Sequence, residues 1–279
     1  MLRPSIPRIG RSLNTFRRSL HHVPLLPHNF QNGVPGLLSP AAFDISWTQY
    51  QSLMVEKLNV LTAGGEWESR TPKEILLKYA RDPNSAPIFN YASMAHNNAF
   101  FFNCLSPKPA AMPKILKEEL TASFSSIETL KQEFIVTASS MFGPGFVWLV
   151  MGRDRRFSLL TTYLAGSPYP GAHYRKQNVD MNTEDKSVSE HMRRINRGPP
   201  ANSVGAFGAY SGNQSLAPGA ADVLPVLCIN TWEHVYLPDY GVGAFGGGGK
   251  KAYAESWWNA IDWDVVANNA GPSPGRGGI

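Results

Sequence analysis

The apolar residues in the first third of the chain recur at the spacing of a helix. Between residues 38 and 59 they fall three or four positions apart, which predicts an amphipathic helix with one buried face. The positions that carry this pattern are Phe43, Trp47, Tyr50, Met54, Val55 and Leu58. Pro72 suits the first turn of a second, short helix. The pattern predicts a third helix over about residues 85–105.

Two further helices are predicted before any strand. One covers about residues 114–124 and the other residues 127–140. Ser125 and Glu128 have the spacing of a capping box, in which a serine and a glutamate three residues later bond each other's backbone N–H groups. We therefore expect Ser125 to cap the second of these helices.

Three apolar runs, at residues 147–151, 157–163 and 223–229, predict strands. The first two flank a polar turn, which indicates a hairpin. Residues 167–220 follow the hairpin and are rich in Gly, Pro, Ser and Asn, which favours an insertion in the domain. Residues 241–251 contain a Gly-rich run that lacks the spacing of a phosphate-binding loop, and we interpret it as a flexible linker.

The net charge of +5 originates at the N-terminus. Residues 1–20 contain five arginines and no acidic residue, and without those arginines 21 basic and 21 acidic residues remain. Such an acid-free, loosely amphipathic start is typical of a mitochondrial transit peptide, although a basic arm that binds nucleic acid has the same composition. Residues 21–37 are rich in Pro and Gly and predict an extended segment.

The rest of the composition suits a soluble globular protein. No apolar stretch is long enough to span a bilayer, so we expect no membrane partner. Cys104 and Cys228 lie in apolar surroundings and form no C-x-x-C pair, which favours buried free thiols in a reducing compartment.

The run N-T-W-E-H-V-Y-L-P-D-Y at residues 230–240 resembles the motif D-x-W-E-H-A-Y-x-x-D-Y of iron/manganese superoxide dismutases. That motif supplies two metal ligands, an aspartate and a histidine. The resemblance places His234 at the histidine, but Asn230 stands at the aspartate. A neutral amide is a weaker ligand than a carboxylate for a hard cation.

Residues 89–107 are similar to the dismutase helix F-N-x-A-x-Q-x-W-N-H-x-F-x-W-N-x-L-x-P. The resemblance places Asn98 at a ligand histidine and Met94 at the glutamine that relays protons in the iron-type enzymes. His96 is close in sequence, but two residues turn a helical side chain by about 200°, to nearly the opposite face. His96 is therefore not expected to replace the missing ligand.

Residues 38–59 look like the first long helix of the same family. The resemblance places Ser46 at the first ligand histidine, Tyr50 at a histidine outside the ligand set, and Met54 at the tyrosine that gates substrate. Shorter matches follow in the family's order at residues 142–150, 161–168 and 257–266.

This resemblance implies an α+β fold of the iron/manganese superoxide dismutase type. A helical-hairpin domain is expected over residues 38–107 and an α/β domain over residues 113–268, with a three-stranded antiparallel sheet. The segment 167–220 is then an insertion in the second domain.

The ligand positions predict that catalysis is lost. Ser46, Asn98 and Asn230 are neutral, and His234 alone cannot hold a metal that cycles between two oxidation states. We expect no metal, no other cofactor and no enzymatic activity, with His234 as a hydrogen-bonded structural residue.

The resemblance also implies a dimer surface. In active dismutases the glutamate beside the ligand histidine crosses the interface to the partner's ligand histidine, so Trp232, Glu233 and His234 are interface candidates. Tyr50 and Leu237 stand where the family pairs a histidine and a tyrosine across the interface, so this contact is expected to differ.

A dismutase fold without its metal ligands, behind a mitochondrial presequence, resembles a set of fungal mitochondrial small-subunit ribosomal proteins. The implied function is a structural subunit of the mitochondrial ribosome in the matrix, which supports mitochondrial translation and pairs with a second dismutase-like subunit as a heterodimer. The near-neutral charge after residue 20 predicts rRNA contact that is peripheral or absent. The alternatives are a dismutase-like metalloenzyme of the matrix and a free matrix scaffold.

Overall fold

The computed structural model describes residues 20–80, 82–169, 172 and 223–272. The predicted transit peptide lies outside the described residues except for Leu20. Most of the predicted insertion lies outside them as well.

Two long helices and a short one form the N-terminal part of the fold. Helix α1 (Pro40–Phe43) continues directly into a π-helical turn (Asp44–Gln49) and then into α2 (Tyr50–Thr62). Helices α3 (Pro72–Tyr79) and α4 (Ala86–Asn103) follow, and α4 packs against both α2 and α3. The three helices predicted from apolar spacing are confirmed, but the π-helical turn was not predicted.

Helices α5 (Lys114–Phe124) and α6 (Ile127–Ser140) agree with their predicted ranges. The predicted capping box is wrong by one residue. Ser126 is the N-cap of α6, and its side chain accepts a hydrogen bond of 3.0 Å from the backbone N–H three residues later. Ser125 has a φ of 68° and so turns the chain sharply between the two helices instead of capping α6.

The sheet has the strand order β2-β1-β3 and is antiparallel throughout. Its strands are β1 (Gly145–Gly152), β2 (Phe157–Tyr163) and β3 (Val223–Asn230). The central strand β1 is buried along nearly its whole length, since helices cover the sheet. The three-stranded antiparallel sheet of the predicted α+β fold is confirmed.

Three helices follow the sheet: α7 (Glu233–Tyr240), α8 (Gly249–Trp258) and α9 (Trp263–Ala270). The Gly-rich run between α7 and α8 is not an unstructured linker, as the sequence suggested. It contains a 3-10 turn (Ala244–Gly246), and its last residues begin α8.

Hydrogen bonds join α7 to the start of α1. The Tyr240 hydroxyl donates to the Leu37 carbonyl at 2.8 Å, and the Ser39 N–H donates to an Asp239 carboxylate oxygen at 2.7 Å. These bonds hold the end of α7 beside the helix that contains the π-helical turn. The predicted burial of Cys104 and Cys228 is confirmed, and both thiols are free.

The N-terminal extended segment is bound to α2 through backbone groups. The His21 N–H donates to Asn59 Oδ1 at 2.8 Å, and Asn59 Nδ2 donates to the His21 carbonyl at 3.0 Å. Within the described part of the chain, no helix combines the length and apolar character needed to cross a bilayer.

The corrected helix cap leads to a stability prediction. Ser126→Ala should lower the free energy of unfolding by about 1 kcal/mol, because it removes the side-chain acceptor for an otherwise unpaired N–H in the first turn of α6. Ser125→Ala is the matched control and should change the same quantity by less than about 0.5 kcal/mol. Pulse proteolysis across a urea series measures both values at low protein concentration. A larger loss from Ser125→Ala would contradict the assignment of the cap.

Candidate functional site

Three buried polar residues meet where the two halves of the fold pack together. Ser46 lies on the π-helical turn, Asn98 on α4, and Asn230 is the last residue of β3. All three have no solvent exposure. They are the residues that the family resemblance placed at ligand positions, and the fold brings them to one point.

Asn98 is the centre of a hydrogen-bond network between these elements. Its Nδ2 donates to the Ser46 carbonyl and to Gln51 Oε1, each at 3.1 Å. Its Oδ1 accepts a hydrogen bond from Asn230 Nδ2, also at 3.1 Å. Because each of these groups is buried, the network satisfies polar atoms that would otherwise be costly to remove from water.

The network continues outward from Asn98 at both ends. Asn230 Oδ1 accepts from the Trp232 N–H at 2.9 Å, which fixes the start of α7. Gln51 Nε2 donates to the Ala95 carbonyl on α4 at 2.8 Å. We define the amide network as the side chains of Asn98, Asn230 and Gln51.

Gln51 is a member of this site that the sequence reasoning missed. It is almost completely buried, with 1% of its surface exposed. The sequence contains a sign of this role, because Gln51 lies between Tyr50 and Met54 on the helix that was predicted to bury its apolar face. A glutamine that such a helix buries must have hydrogen-bond partners.

Ser46 turns its hydroxyl away from the other predicted ligand positions. Its Oγ donates to the Ala42 carbonyl on the preceding turn at 2.6 Å. The π-helical turn is formed in part by the Tyr50 N–H, which bonds to the carbonyl of Ile45, five residues earlier. The Ser46 hydroxyl therefore has its hydrogen-bond partner within its own helix.

His234 lies beside these residues but bonds to none of them. Its ring stacks on Tyr50 with 4.1 Å between centroids and 24° between planes, and the Trp232 ring is 5.7 Å away. The Nε2 of His234 and the Nε1 of Trp232 are buried and have no hydrogen-bond partner in the described part of the chain. Burial lowers the pKa of His234 to about 4, so its ring is neutral at neutral pH. The hydrogen bond expected for His234 is therefore absent at Nε2.

These residues do not fit a redox metal. The oxygen and nitrogen atoms of Asn98 and Asn230 are engaged with each other and with backbone groups, and Ser46 Oγ donates to a carbonyl. Only the His234 imidazole remains as a free nitrogen donor, whereas such a metal needs several anionic or imidazole ligands. Among the described residues, no group of three or more His, Cys, Asp or Glu could hold a metal ion.

The residues that the family resemblance placed at the proton-relay and gate positions are apolar. Met94 and Met54 are buried, with 4% and 6% of their surfaces exposed. A thioether carries no proton that it could pass to another group.

His96 points away from the amide network, as its spacing from Asn98 predicts. Its Nε2 lies 2.8 Å from the Tyr169 hydroxyl, and burial lowers the pKa of His96 to about 4.

The five interface candidates lie together beside the amide network. Trp232, Glu233, His234 and Leu237 are at the start of α7, and Tyr50 joins them through its ring contacts with Trp232 and His234. All five are only partly buried. We define the α7 surface as these five residues.

Comparison with known proteins relates the chain to two groups. The model of the family "Iron/manganese superoxide dismutases, C-terminal domain" matches residues 112–177 and 207–269. Small ribosomal subunit protein mS43 of Schizosaccharomyces pombe is 29% identical over 250 residues, which cover 86% of this chain and 82% of mS43. Protein mS42 of the same organism is 32% identical over 206 residues, which cover 71% of this chain and 73% of mS42. The iron superoxide dismutase of Helicobacter pylori strain J99 is 26% identical over 231 residues, with 82% and 80% covered.

The amide network leads to a prediction about Asn98. Asn98→Ala should lower the free energy of unfolding by about 3 kcal/mol or more, because it leaves buried groups of Ser46, Gln51 and Asn230 without a partner. Asn90→Ala is the control, since Asn90 lies on the exposed face of the same helix and should change stability by less than about 0.5 kcal/mol. Equal effects of the two variants in pulse proteolysis would show that the network contributes little.

Proposed function

The chain belongs to the family of small ribosomal subunit protein mS42, to which it is 32% identical over 71% of its length, and on this premise we propose that it is a structural protein of the mitochondrial small ribosomal subunit. It acts in the mitochondrial matrix and supports mitochondrial translation. Its similarity over most of its length to mS43 and mS42 is the observation that carries this proposal.

We propose that the dismutase reaction has been lost. The reaction needs a metal that changes oxidation state within a preformed set of ligands. In our proposal the amide network fills the place of those ligands, and His234 supplies an imidazole beside it. The neutral network then joins α2, α4 and the end of β3 by hydrogen bonds. In an active dismutase the metal joins these elements through its ligands.

The α7 surface is proposed to pair with a second dismutase-fold subunit. Glu233 makes no hydrogen bond to a described residue, and the aromatic ring of Trp232 is only partly covered. Because Tyr50 and Leu237 replace a histidine and a tyrosine that the family pairs across its dimer, two copies of this chain would not recreate that bond. A diverged relative can supply complementary residues, which favours a heterodimer. Ribosomal proteins are then the main partners, with rRNA contact peripheral or absent.

The presequence is proposed to end before His21. Both backbone groups of His21 bond to Asn59, and its side-chain Nε2 lies 3.3 Å from Thr62 Oγ1. Removal of His21 would leave the partly buried Asn59 amide without these two partners, so the bonds support a mature protein that retains His21.

A ligand-restoring variant tests the loss of catalysis. The triple variant Ser46→His, Asn98→His, Asn230→Asp should remain far below a true dismutase in activity, because Met94 and Met54 still lack the relay and gate, and groups outside the ligand set contribute about 10–100-fold each. The unmodified chain should carry no stoichiometric iron or manganese. The rate of superoxide consumption measures the activity of the variant, and elemental analysis measures the metal content of the unmodified chain. Activity of the triple variant comparable to a true dismutase would overturn the argument.

Sedimentation tests the ribosomal role. A tagged chain should co-sediment with the mitochondrial small subunit after a salt wash. Glu233→Ala should weaken the binding of the chain to the second dismutase-fold protein by about 1–3 kcal/mol, because it removes a hydrogen-bond acceptor that the interface buries. Glu255→Ala, at an exposed position on α8, is the control. A chain that stays at the top of the gradient, or that forms a tight homodimer indifferent to Glu233→Ala, would contradict the proposal.

A further inference from the structure

The Gly-rich segment between α7 and α8 forms a closed loop, which we define as residues 241–248. Gly243, near the start of the loop, lies against Gly249, which directly follows its end. A Cβ atom on Gly243 would lie 3.1 Å from the Gly249 Cα. A Cβ atom on Gly248 would lie 2.4 Å from the Tyr240 carbonyl oxygen, a distance that no side chain tolerates. The glycines therefore allow the loop to close tightly on itself.

Phe245 lies in the 3-10 turn of this loop and is fully exposed. Its backbone has a φ of 58°, a conformation that is unfavourable for a residue with a bulky side chain. Its relative exposure is 110%. In the isolated chain Phe245 thus combines a strained backbone with an aromatic ring in water, and neither feature stabilises the fold.

A second exposed phenylalanine is joined to the base of the loop through Lys250. The Lys250 ammonium donates to the Met141 carbonyl at 2.8 Å and to the Gly143 carbonyl at 3.0 Å. Phe142 lies between these two carbonyls in sequence and is 95% exposed. Lys250 therefore holds the turn that carries Phe142 against the start of α8.

The turn that carries Phe142 is also joined to the start of α7. Thr231, which directly precedes Trp232, bonds to the Gly145 carbonyl through its N–H at 2.9 Å and its hydroxyl at 3.0 Å. The Lys250 ammonium also lies 5.9 Å from the centre of the Tyr236 ring on α7. Phe142, the base of the closed loop and α7 therefore belong to one continuous region around Lys250.

We propose that Phe142 and Phe245 are aromatic anchors that insert into apolar pockets of the second dismutase-fold subunit, on a surface continuous with the α7 surface. This inference rests on the proposed heterodimer. Exposed aromatic residues with few competing conformations are the residues that contribute most to protein interfaces when they become buried. Binding would remove both rings from water.

The charges around the two rings favour a protein over RNA as the partner. Exposed aromatic rings can also stack on bases, but such sites carry Lys or Arg that track the phosphates. The closed loop contains no charged residue. Glu233 and Asp239 lie on the adjacent helix, and Lys250 is engaged with two carbonyls.

Substitution of Phe245 separates binding from folding. Phe245→Gly removes the ring and relieves the left-handed backbone, so the chain alone should resist urea as well as or better than the unmodified chain. Its Kd for the co-expressed second dismutase-fold protein should nevertheless rise about 10-fold or more. Phe142→Ala should also raise the Kd for the second dismutase-fold protein. Leu25→Ala is the control, because Leu25 is equally exposed, at 95%, and lies on the N-terminal extended segment.

Photo-crosslinking in the assembled small subunit identifies what covers the ring. Benzoylphenylalanine in place of Phe245 should crosslink to the second dismutase-fold protein, whereas the same probe in place of Val60, which is 68% exposed on α2, should not. Crosslinks from position 245 to rRNA or to another protein, or none at all, would overturn the inference. A chain that never joins the small subunit defeats the proposed function too. If the chain joins the small subunit and pairs through Glu233, but its Kd does not change with Phe245→Gly or Phe142→Ala, only this inference is contradicted.

Discussion

The structure depends on the rule that a buried polar atom needs a hydrogen-bond partner. Ser46, Asn98 and Asn230 come from three elements that are distant in sequence, and the fold buries all three completely. Asn98 satisfies this rule for its neighbours because an amide group both donates and accepts. A charged aspartate or an unpaired histidine at these positions would need a counter-charge or a metal, whereas neutral amides need only each other.

The amide network contributes stability that does not change with pH. None of the three amide side chains gains or loses a proton in the physiological range. His234 and His96 behave differently, because burial lowers the pKa of each to about 4 and both rings are neutral at neutral pH. As the pH falls below about 6.5, the unfolded chain binds protons at these histidines that the folded chain does not, so the free energy of unfolding decreases. The amide network satisfies its own polar atoms without a metal ion.

The sequence predicted most of the fold because the pattern of apolar residues is local. The helix ranges and the three strands follow from spacing within each segment, and family motifs identified how they assemble. The predictions failed where a single residue or a single contact determines the local structure. Ser125 and Ser126 are both plausible caps, and they are distinguished by the backbone angle at Ser125 and by the hydrogen bond that the Ser126 side chain accepts. Gln51 went unnoticed because its partners, Asn98 and Ala95, are more than 40 residues away.

The π-helical turn between α1 and α2 has a consequence for how the gene can change. A π-helical turn contains one residue more than a regular turn, so it shifts the phase of everything that follows by about 100° relative to a regular helix. In a regular helix the Tyr50 N–H would bond to the Ser46 carbonyl, but in this turn it bonds to the carbonyl groups of Ile45 and Trp47 instead. The Ser46 carbonyl accepts a hydrogen bond from Asn98. Deletion of one codon between residues 44 and 49 would remove the extra residue and favour a regular helix, whose own N–H groups would then compete with Asn98 for the carbonyl at this position.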